Sequence, residues 1–106
     1  MSWAASYIEA LQQGRTVSFR PRGHSMRGRV ESGQRVTVVP VDAATDLSVG
    51  DVVLCHVRGH DYLHLIRATR GKQADAAERW LIGNNGGGIN GWIGRNKIFG
   101  RLSAVE

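Results

Sequence analysis

Residues 50–69 read GDVVLCHVRGHDYLHLIRAT, and this stretch decides the fold. Residues 51–57 are almost continuously apolar, which is typical of a β-strand that is covered on both faces. Residues 58–61 contain a glycine and polar side chains and predict a tight turn, and residues 62–69 return as a second strand. The segment therefore predicts a β-hairpin whose first strand is buried.

The turn also predicts which residues of the hairpin face each other. If Arg58 lies opposite Asp61 across a two-residue loop, Cys55 lies opposite His64. Directly opposed residues share a face of the sheet, so His64 is placed among apolar side chains on a rigid strand. Burial favours a neutral imidazole and lowers its pKa, as a general base requires. The hairpin alone fits an ordinary buried histidine equally well.

Short elements surround this hairpin. Apolar residues at i, i+4 and i+8 predict a helix over residues 2–13, with Ser2 as a cap and Gly14 as a left-handed end. A polar loop or short helix is expected at residues 70–79, and a glycine- and asparagine-rich loop at residues 83–91. The other predicted strands cover residues 16–19, 35–39, 80–82, 92–93 and 98–105. One helix and six or seven short strands indicate a mainly β fold, that is, a β-rich α+β domain.

Length and composition limit the architecture and the function classes. A chain of 106 residues fits a single domain, residues 1–106, with the helix in residues 1–14 and the β-rich body in residues 15–106. No run approaches about 18 apolar residues, so no membrane span is expected. The only cysteine, Cys55, excludes an internal disulfide and is compatible with a reducing compartment, so we expect a cytoplasmic protein.

Positive charge is concentrated in the first third of the chain. The formal net charge is +5, and the arginines there lack helical spacing: Arg15, Arg20, Arg22, Arg27, Arg29 and Arg35. This pattern fits a solvated basic surface, with a phosphate-binding surface as the alternative. No second helix of adequate length follows the first, which excludes a helix-turn-helix motif.

The segment Arg22-Gly23-His24-Ser25-Met26 follows a proline-containing loop and carries a second candidate. A serine becomes a strong nucleophile only when a base removes its proton. Backbone N–H groups around Gly23 and Ser25 could stabilise an oxyanion, because glycine allows a close approach to the backbone. Taken alone, the segment equally fits an ordinary loop serine.

In their order along the chain, several segments resemble the superfamily of LexA-type repressor peptidases and type I signal peptidases. The resemblance covers roughly residues 17–105 and includes GHSM at 23–26, SGQRVTV at 32–38, GDVVL at 50–54, YLHLIR at 62–67, WLIGNN at 80–85 and IFGRL at 98–102. It implies a LexA- or signal-peptidase-like coiled β fold with a short N-terminal helix. It also implies a homodimer by analogy, since LexA-type domains pair through their C-terminal strands.

The resemblance assigns roles to individual residues. It implies a Ser25 nucleophile and a His64 base, 39 positions apart, as in the family's histidine-type members. Those members orient the histidine with an acidic residue from a Gly-Asp segment, and Asn84 stands at that position here. The resemblance further places Met26 in substrate binding. Lys72, the alternative base by residue type, lies in a polar loop and does not fit the spacing.

This chain departs from the family pattern at three points. Gln34 replaces the aspartate of the first Gly-Asp pair, and Asn84 carries no charge. Gly23 offers no side-chain hydroxyl, so an oxyanion hole would depend on backbone donors. Asp61 lies close in sequence to His64, but at a hairpin turn we expect it to face solvent.

These observations leave two functional hypotheses. The first is a serine peptidase hydrolase with a Ser25/His64 dyad, which cleaves a peptide or protein substrate after small residues, or cleaves itself within Trp3-Ala4-Ala5-Ser6. The second is an inactive domain of the same fold that binds a protein or nucleic acid. No cofactor is expected. A zinc site built from Cys55, His64 and His24 is disfavoured, because closely spaced ligand pairs are missing. A site built from His56, His60 and His64 is also disfavoured, because His60 falls in the predicted turn and His56 points away from His64.

Overall fold

The computed structural model describes residues 2–71 and 78–106 and shows a mainly β architecture. In this part of the chain one helix and seven strands are present, and the strands form a single antiparallel sheet in the order β1-β2-β7-β3-β4-β5-β6. The prediction of a β-rich domain is therefore confirmed. The elements are α1 (Ala5–Gln12), β1 (Val17–Phe19), β2 (Val36–Pro40), β3 (Val52–Val57), β4 (His60–Arg70), β5 (Arg79–Gly83), β6 (Ile89–Ile93), a 3₁₀ turn (Arg95–Lys97) and β7 (Ile98–Val105).

Strand β3 is buried on both faces, as its sequence predicts. Val52 and Leu54 belong to one cluster of buried residues, whereas Val53, Cys55 and Val57 belong to another. This division follows from the two-residue period of a strand, which sends successive side chains to opposite faces. One cluster is closed by the helix and strands β1 and β2, and the other by strands β5 and β6. A single apolar strand thus holds two cores together.

The β3–β4 turn lies one residue earlier in the chain than the sequence interpretation placed it. Val57 pairs with His60, and His56 pairs with Asp61, so the two loop residues are Arg58 and Gly59. Both have positive φ, 51° and 85°, which is the backbone of a type I′ turn. The expected pairing of Arg58 with Asp61 is therefore wrong by two residues.

This correction leaves the predicted faces intact. His64 lies opposite Val53, and Cys55 lies opposite Tyr62. Because the side-chain period of a strand is two, a shift of two residues keeps every side chain on its predicted face. His64 consequently still lies on the face of the hairpin that carries Val53 and Cys55.

Helix α1 is shorter than predicted. Its N-cap residue is Ala4. The Ser2 hydroxyl oxygen accepts a hydrogen bond from the Ala4 N–H. The helix ends before Gly14, whose φ of 82° provides the expected left-handed conformation. Leu11 is the buried residue of the helix, so the helix covers the sheet with the predicted apolar stripe. No helix in residues 2–71 or 78–106 is long and apolar enough to cross a membrane.

Gly100 marks a close contact between the helix and the sheet. A Cβ atom at this position would lie 2.5 Å from Val38 Cγ1 and 2.9 Å from Leu11 Cδ1. We expect Gly100→Ala to lower the free energy of unfolding by about 1–3 kcal/mol, because the extra methyl overpacks this core. Urea denaturation measures this change.

Gly86→Ala is the matched control for that substitution. A Cβ atom at Gly86 would meet Asn84 Oδ1 at 3.5 Å, which is ordinary van der Waals contact. Equal urea midpoints for the two variants would contradict the close packing at Gly100.

Candidate active site

Ser25 begins a turn in the segment between β1 and β2, and the loop between β5 and β6 holds it in place. The Ser25 carbonyl accepts a hydrogen bond of 3.0 Å from the Asn85 N–H. The Asn85 side chain donates to the Arg27 carbonyl at 2.8 Å. The next side chain, Met26, is only 5% exposed and anchors the turn in the core. Backbone and side-chain contacts therefore fix the position of Ser25 from both sides.

His64 meets Ser25 from strand β4. The His64 Nε2 atom lies 3.0 Å from Ser25 Oγ, which is hydrogen-bonding distance. The His64 ring is buried, with 6% exposed, and stacks on Tyr62 with 4.7 Å between ring centroids. The structure thus brings together the serine and the histidine that the sequence selects, from positions 39 residues apart.

The other ring nitrogen of His64 contacts Asn90 on strand β6. The distance from Nδ1 to the Asn90 Oδ1 atom is 2.7 Å. An amide oxygen only accepts hydrogen bonds, so this contact holds the proton on Nδ1 and leaves the lone pair of Nε2 directed at Ser25. Ser25, His64 and Asn90 therefore form a continuous chain of hydrogen bonds, in the order that a nucleophile, a base and an orienting group would take.

Asn90, and not Asn84, is the orienting residue that the geometry supplies. The Asn84 Oδ1 atom accepts hydrogen bonds from the backbone N–H groups of Gly86 and Gly88, at 2.9 and 2.8 Å. The role of Asn84 is therefore to close the loop between β5 and β6. The sequence interpretation missed Asn90 because it assigned this residue to the loop, whereas Asn90 already lies in strand β6.

Burial is the main influence on the charge of His64. It lowers the pKa of the imidazole below its ordinary value of 6.5, and the hydrogen bond to Asn90 partly opposes that shift. The neutral form is favoured at neutral pH, and only this form can accept a proton from Ser25.

The two residues expected to donate to an oxyanion differ in their contacts. The Gly23 N–H donates to the Ser32 hydroxyl oxygen at 3.2 Å and is thus already engaged, so its assignment as an oxyanion donor stays a prediction. Because the Ser32 oxygen accepts that bond, its own hydroxyl proton remains available. Among the described residues, no hydrogen bond takes up the N–H of Ser25.

A cleft of about 280 Å³ opens beside Ser25 and His64 and is referred to here as the active-site cleft. Met26 contributes to its wall, at the position where substrate binding was expected. The indole of Trp3 stands at its rim and donates a hydrogen bond to the Asp61 carbonyl at 3.2 Å. The cleft is lined by Trp3, Pro21, Arg22, Gly23, Ser25, Met26, Val30, Glu31, Ser32, Asp61, Tyr62, Leu63 and His64.

Asp61 does not face solvent, contrary to expectation. Its side chain is 6% exposed, and its carboxylate lies 2.6 Å from the Nδ1 atom of His56. His56 and Asp61 are cross-strand partners, which explains the contact. This carboxylate is therefore committed to His56 and is not the partner of His64.

The structure does not assemble the disfavoured zinc site. The Nδ1 atom of His24 accepts a hydrogen bond from Arg27, and the Cys55 thiol points to the Tyr62 carbonyl at 3.6 Å. Burial raises the pKa of Cys55 to about 12, which disfavours the thiolate that binds metal. Within residues 2–71 and 78–106, no three His, Cys, Asp or Glu side chains gather at one point. Lys72 lies outside the described residues.

No family model matches this chain, and no curated protein matches it. The resemblance to LexA-type and signal peptidases therefore stays a prediction. What can be argued about the site comes from its own geometry.

The site geometry predicts a specific titration behaviour for His64. We expect its NMR titration midpoint below 6.5, because burial disfavours the imidazolium. By linkage, the unfolded chain binds more protons than the folded protein between the two pKa values. The free energy of unfolding thus gains a contribution as pH rises to about 6.5, and loses it on acidification. The Cε1–H chemical shift of His64, followed from pH 4 to pH 8, measures the midpoint.

A second arm of the NMR experiment identifies the orienting residue. Asn90→Asp places a negative charge at Nδ1 and should raise the pKa of His64 above the wild-type value. Asn84→Asp adds the same charge in the loop and should shift the midpoint much less. Equal shifts in the two variants would remove the special role of Asn90.

Proposed function

We propose that the protein is a serine peptidase-like hydrolase in which Ser25 is the nucleophile and His64 is the general base. The observation that carries this proposal is the chain of two hydrogen bonds, Ser25 Oγ to His64 Nε2 and His64 Nδ1 to Asn90 Oδ1, at 3.0 and 2.7 Å. Ser25 and His64 line a cleft that is open to a substrate, and Ser25 is exposed. An ordinary loop serine without a catalytic role would require neither the cleft nor the oriented imidazole.

The reaction follows from the positions of these groups. The Ser25 Oγ atom attacks the carbonyl carbon of a peptide bond while His64 Nε2 takes the hydroxyl proton. The imidazolium then donates this proton to the departing amide nitrogen, and an acyl ester on Ser25 remains. A water molecule gives a proton to the same nitrogen and attacks the ester carbonyl carbon. The imidazolium then returns that proton to the departing Ser25 Oγ, which releases the acid, the free serine and a neutral His64.

The negative oxygen of the tetrahedral intermediate requires hydrogen-bond donors. We assign this role to the backbone N–H of Ser25 and to the hydroxyl of Ser32, which lines the same cleft. Ser32 then supplies the side-chain donor that Gly23 lacks. Its hydrogen bond from the Gly23 N–H orients its oxygen for this role.

The uncharged side chain of Asn90 determines how fast we expect peptide hydrolysis to be. It selects the correct tautomer of His64, but it contributes no negative charge to stabilise the imidazolium that forms during the reaction. In serine proteases, replacing the carboxylate of the triad by an amide lowers kcat by about 10⁴-fold. Part of that loss comes from the wrong tautomer, which the Asn90 contact avoids here. We therefore expect a slow peptidase.

The substrate is proposed to be a separate peptide or protein. The resemblance suggests small residues before the scissile bond, and Trp3-Ala4-Ala5-Ser6 offers such residues. However, Ala4 is fully buried, and the helix begins at Ala5. Self-cleavage there would require the N-terminal segment to unfold, so cleavage in trans is favoured.

An inactive binding domain is the second candidate, and the uncharged Asn90 is the observation that favours it. An active site that has lost its orienting carboxylate could keep its hydrogen bonds for stability alone. The two candidates differ in what Ser25→Ala does: it abolishes cleavage in the first and changes no binding in the second.

Cleavage of a diverse peptide library, followed by mass spectrometry from pH 5 to pH 9, tests the hydrolase. We expect products with the wild-type protein and none with Ser25→Ala. The rate should rise as His64 loses its proton, with a midpoint below the ordinary imidazole value of 6.5, because burial lowers the pKa of His64. Products that persist in Ser25→Ala, or a rate unaffected by His64→Ala, would rule out the dyad.

Asn90→Asp should increase kcat/KM by at least about tenfold, because a carboxylate stabilises the imidazolium. Asn84→Asp is the control and should leave kcat/KM within about twofold of wild type. The measurement is hydrolysis of the best peptide from the library at pH 8, where the raised pKa of His64 no longer limits the neutral fraction. A decrease in kcat/KM for Asn90→Asp would contradict this account of the orienting residue.

A further inference from the structure

A second cleft, here called the basic cleft, lies where the β3–β4 turn meets strand β6 and the 3₁₀ turn. Its volume is about 730 Å³. It shares no lining residue with the active-site cleft. It is lined by Ala43, His56, Arg58, Glu78, Arg79, Trp92, Ile93, Gly94, Arg95, Asn96 and Lys97.

The charge of the basic cleft is strongly positive. Four cationic side chains and one acidic side chain line it. The acidic residue, Glu78, is buried and forms an ion pair of 3.5 Å with Arg95. Arg95 also donates hydrogen bonds to the carbonyls of Asp42 and Thr45, so its role is structural. The side chains of Arg58 and Lys97 make no hydrogen bond or ion pair with any described residue, and both are exposed.

Arg58 occupies a position that its residue type does not favour. It has a φ of 51° at the first loop position of a type I′ turn, where asparagine, aspartate and glycine are preferred. Its guanidinium group lies close to the backbone of strand β6. A Cβ atom at Gly91 would lie only 3.3 Å from the Arg58 Nε atom. A glycine in β6 thus leaves room for an arginine that the turn itself does not favour. Such a combination is more typical of a binding role than of folding.

An aromatic ring completes the basic cleft. Trp92 is 40% exposed on β6, which is an edge strand of the described sheet. The guanidinium of Arg70 lies 4.8 Å from the ring centroid, which adds a further cation beside the indole. Exposed aromatic rings beside cationic side chains are the features with which proteins bind single-stranded nucleic acid: bases stack on the rings, and phosphates contact the cations.

We propose that the basic cleft binds single-stranded nucleic acid, with a base stacked on Trp92 and phosphates at Arg58 and Lys97. An acidic peptide would use the cations alone, whereas a base could also stack on the part of the Trp92 ring that the Arg70 guanidinium leaves exposed, so nucleic acid is favoured. This proposal does not depend on the hydrolase, since the two clefts share no residues.

Fluorescence anisotropy of a fluorescein-labelled dT12 strand tests the proposal, with rU12 as a second probe to distinguish DNA from RNA. We expect saturable binding that weakens as salt is raised, with log K falling by about 0.7 per phosphate contact for each unit of log salt. Trp92→Leu should lower the affinity about fivefold or more, because base stacking is lost.

Arg58→Asn is the decisive variant, because it separates binding from folding. Asparagine suits the type I′ turn, so the melting temperature should stay the same or rise. The affinity for dT12 should nevertheless fall at least about threefold. Arg15→Asn is the matched control, since it removes the same charge just before β1, at the opposite edge of the sheet, and should leave the affinity unchanged.

Three outcomes would overturn the proposal. The first is no saturable binding of dT12 or rU12 by the wild-type protein at low salt. The second is an equal loss of affinity in Arg58→Asn and Arg15→Asn, which would show attraction by net charge alone. The third is competition by a twelve-residue polyglutamate peptide as effective as that by unlabelled dT12, which would assign the cleft to an acidic protein segment.

Discussion

The burial of strand β3 on both faces is the constraint on which the remaining structure depends. A strand that is apolar on both faces is stable only when each face is covered, so the helix with β1 and β2 must pack on one side and β5 with β6 on the other. Strand β4 is then held between β3 and β5, and its side chains have little freedom. His64 takes its place on this strand. The fixed position of the His64 imidazole is therefore a consequence of the core.

The candidate site combines His64, on a central strand, with Ser25 and Asn90, which come from other parts of the chain. His64 is fixed by β4, Asn90 by β6, and Ser25 by a turn whose backbone is tied to the loop between β5 and β6. Burial keeps the imidazole neutral, and the Asn90 amide directs its lone pair toward the serine. What the arrangement lacks is a negative charge behind the imidazole. The nearby Asp61 could have supplied one, but its cross-strand partner is His56.

Much of this was predictable from local sequence patterns, and what was missed depended on contacts distant in sequence. The two-residue period of the hairpin was sufficient to place His64 among apolar side chains. This placement holds although the predicted register was wrong by two residues, because such a shift keeps each side chain on the same face. The resemblance to serine peptidases paired His64 with Ser25, which periodicity alone could not do. Asn90 was missed because the glycines at positions 86–88 and 91 made this segment look like a loop and concealed the start of a strand. Asp61 was assigned to solvent because a position near a turn says nothing about the residue across the strand. The partner of the Gly23 N–H lies nine residues away and depends on how the loop folds back.

The contact between Ser25 and Asn85 has a further consequence for the way the site behaves. From the Ser25 side chain, hydrogen bonds lead through His64 to Asn90; from the Ser25 carbonyl, another leads to Asn85, and the backbone of the four residues 86–89 connects Asn85 to Asn90. Ser25, His64 and Asn90 thus lie on a closed circuit. In a closed circuit no member can be displaced without moving the others. The two hydrogen bonds of the imidazole, from Nε2 to Ser25 and from Nδ1 to Asn90, therefore form or break together. The loop between β5 and β6, which carries Asn85 and leads into Asn90, is therefore part of the candidate site, and a displacement of this loop would alter the contacts of Ser25 and His64 together.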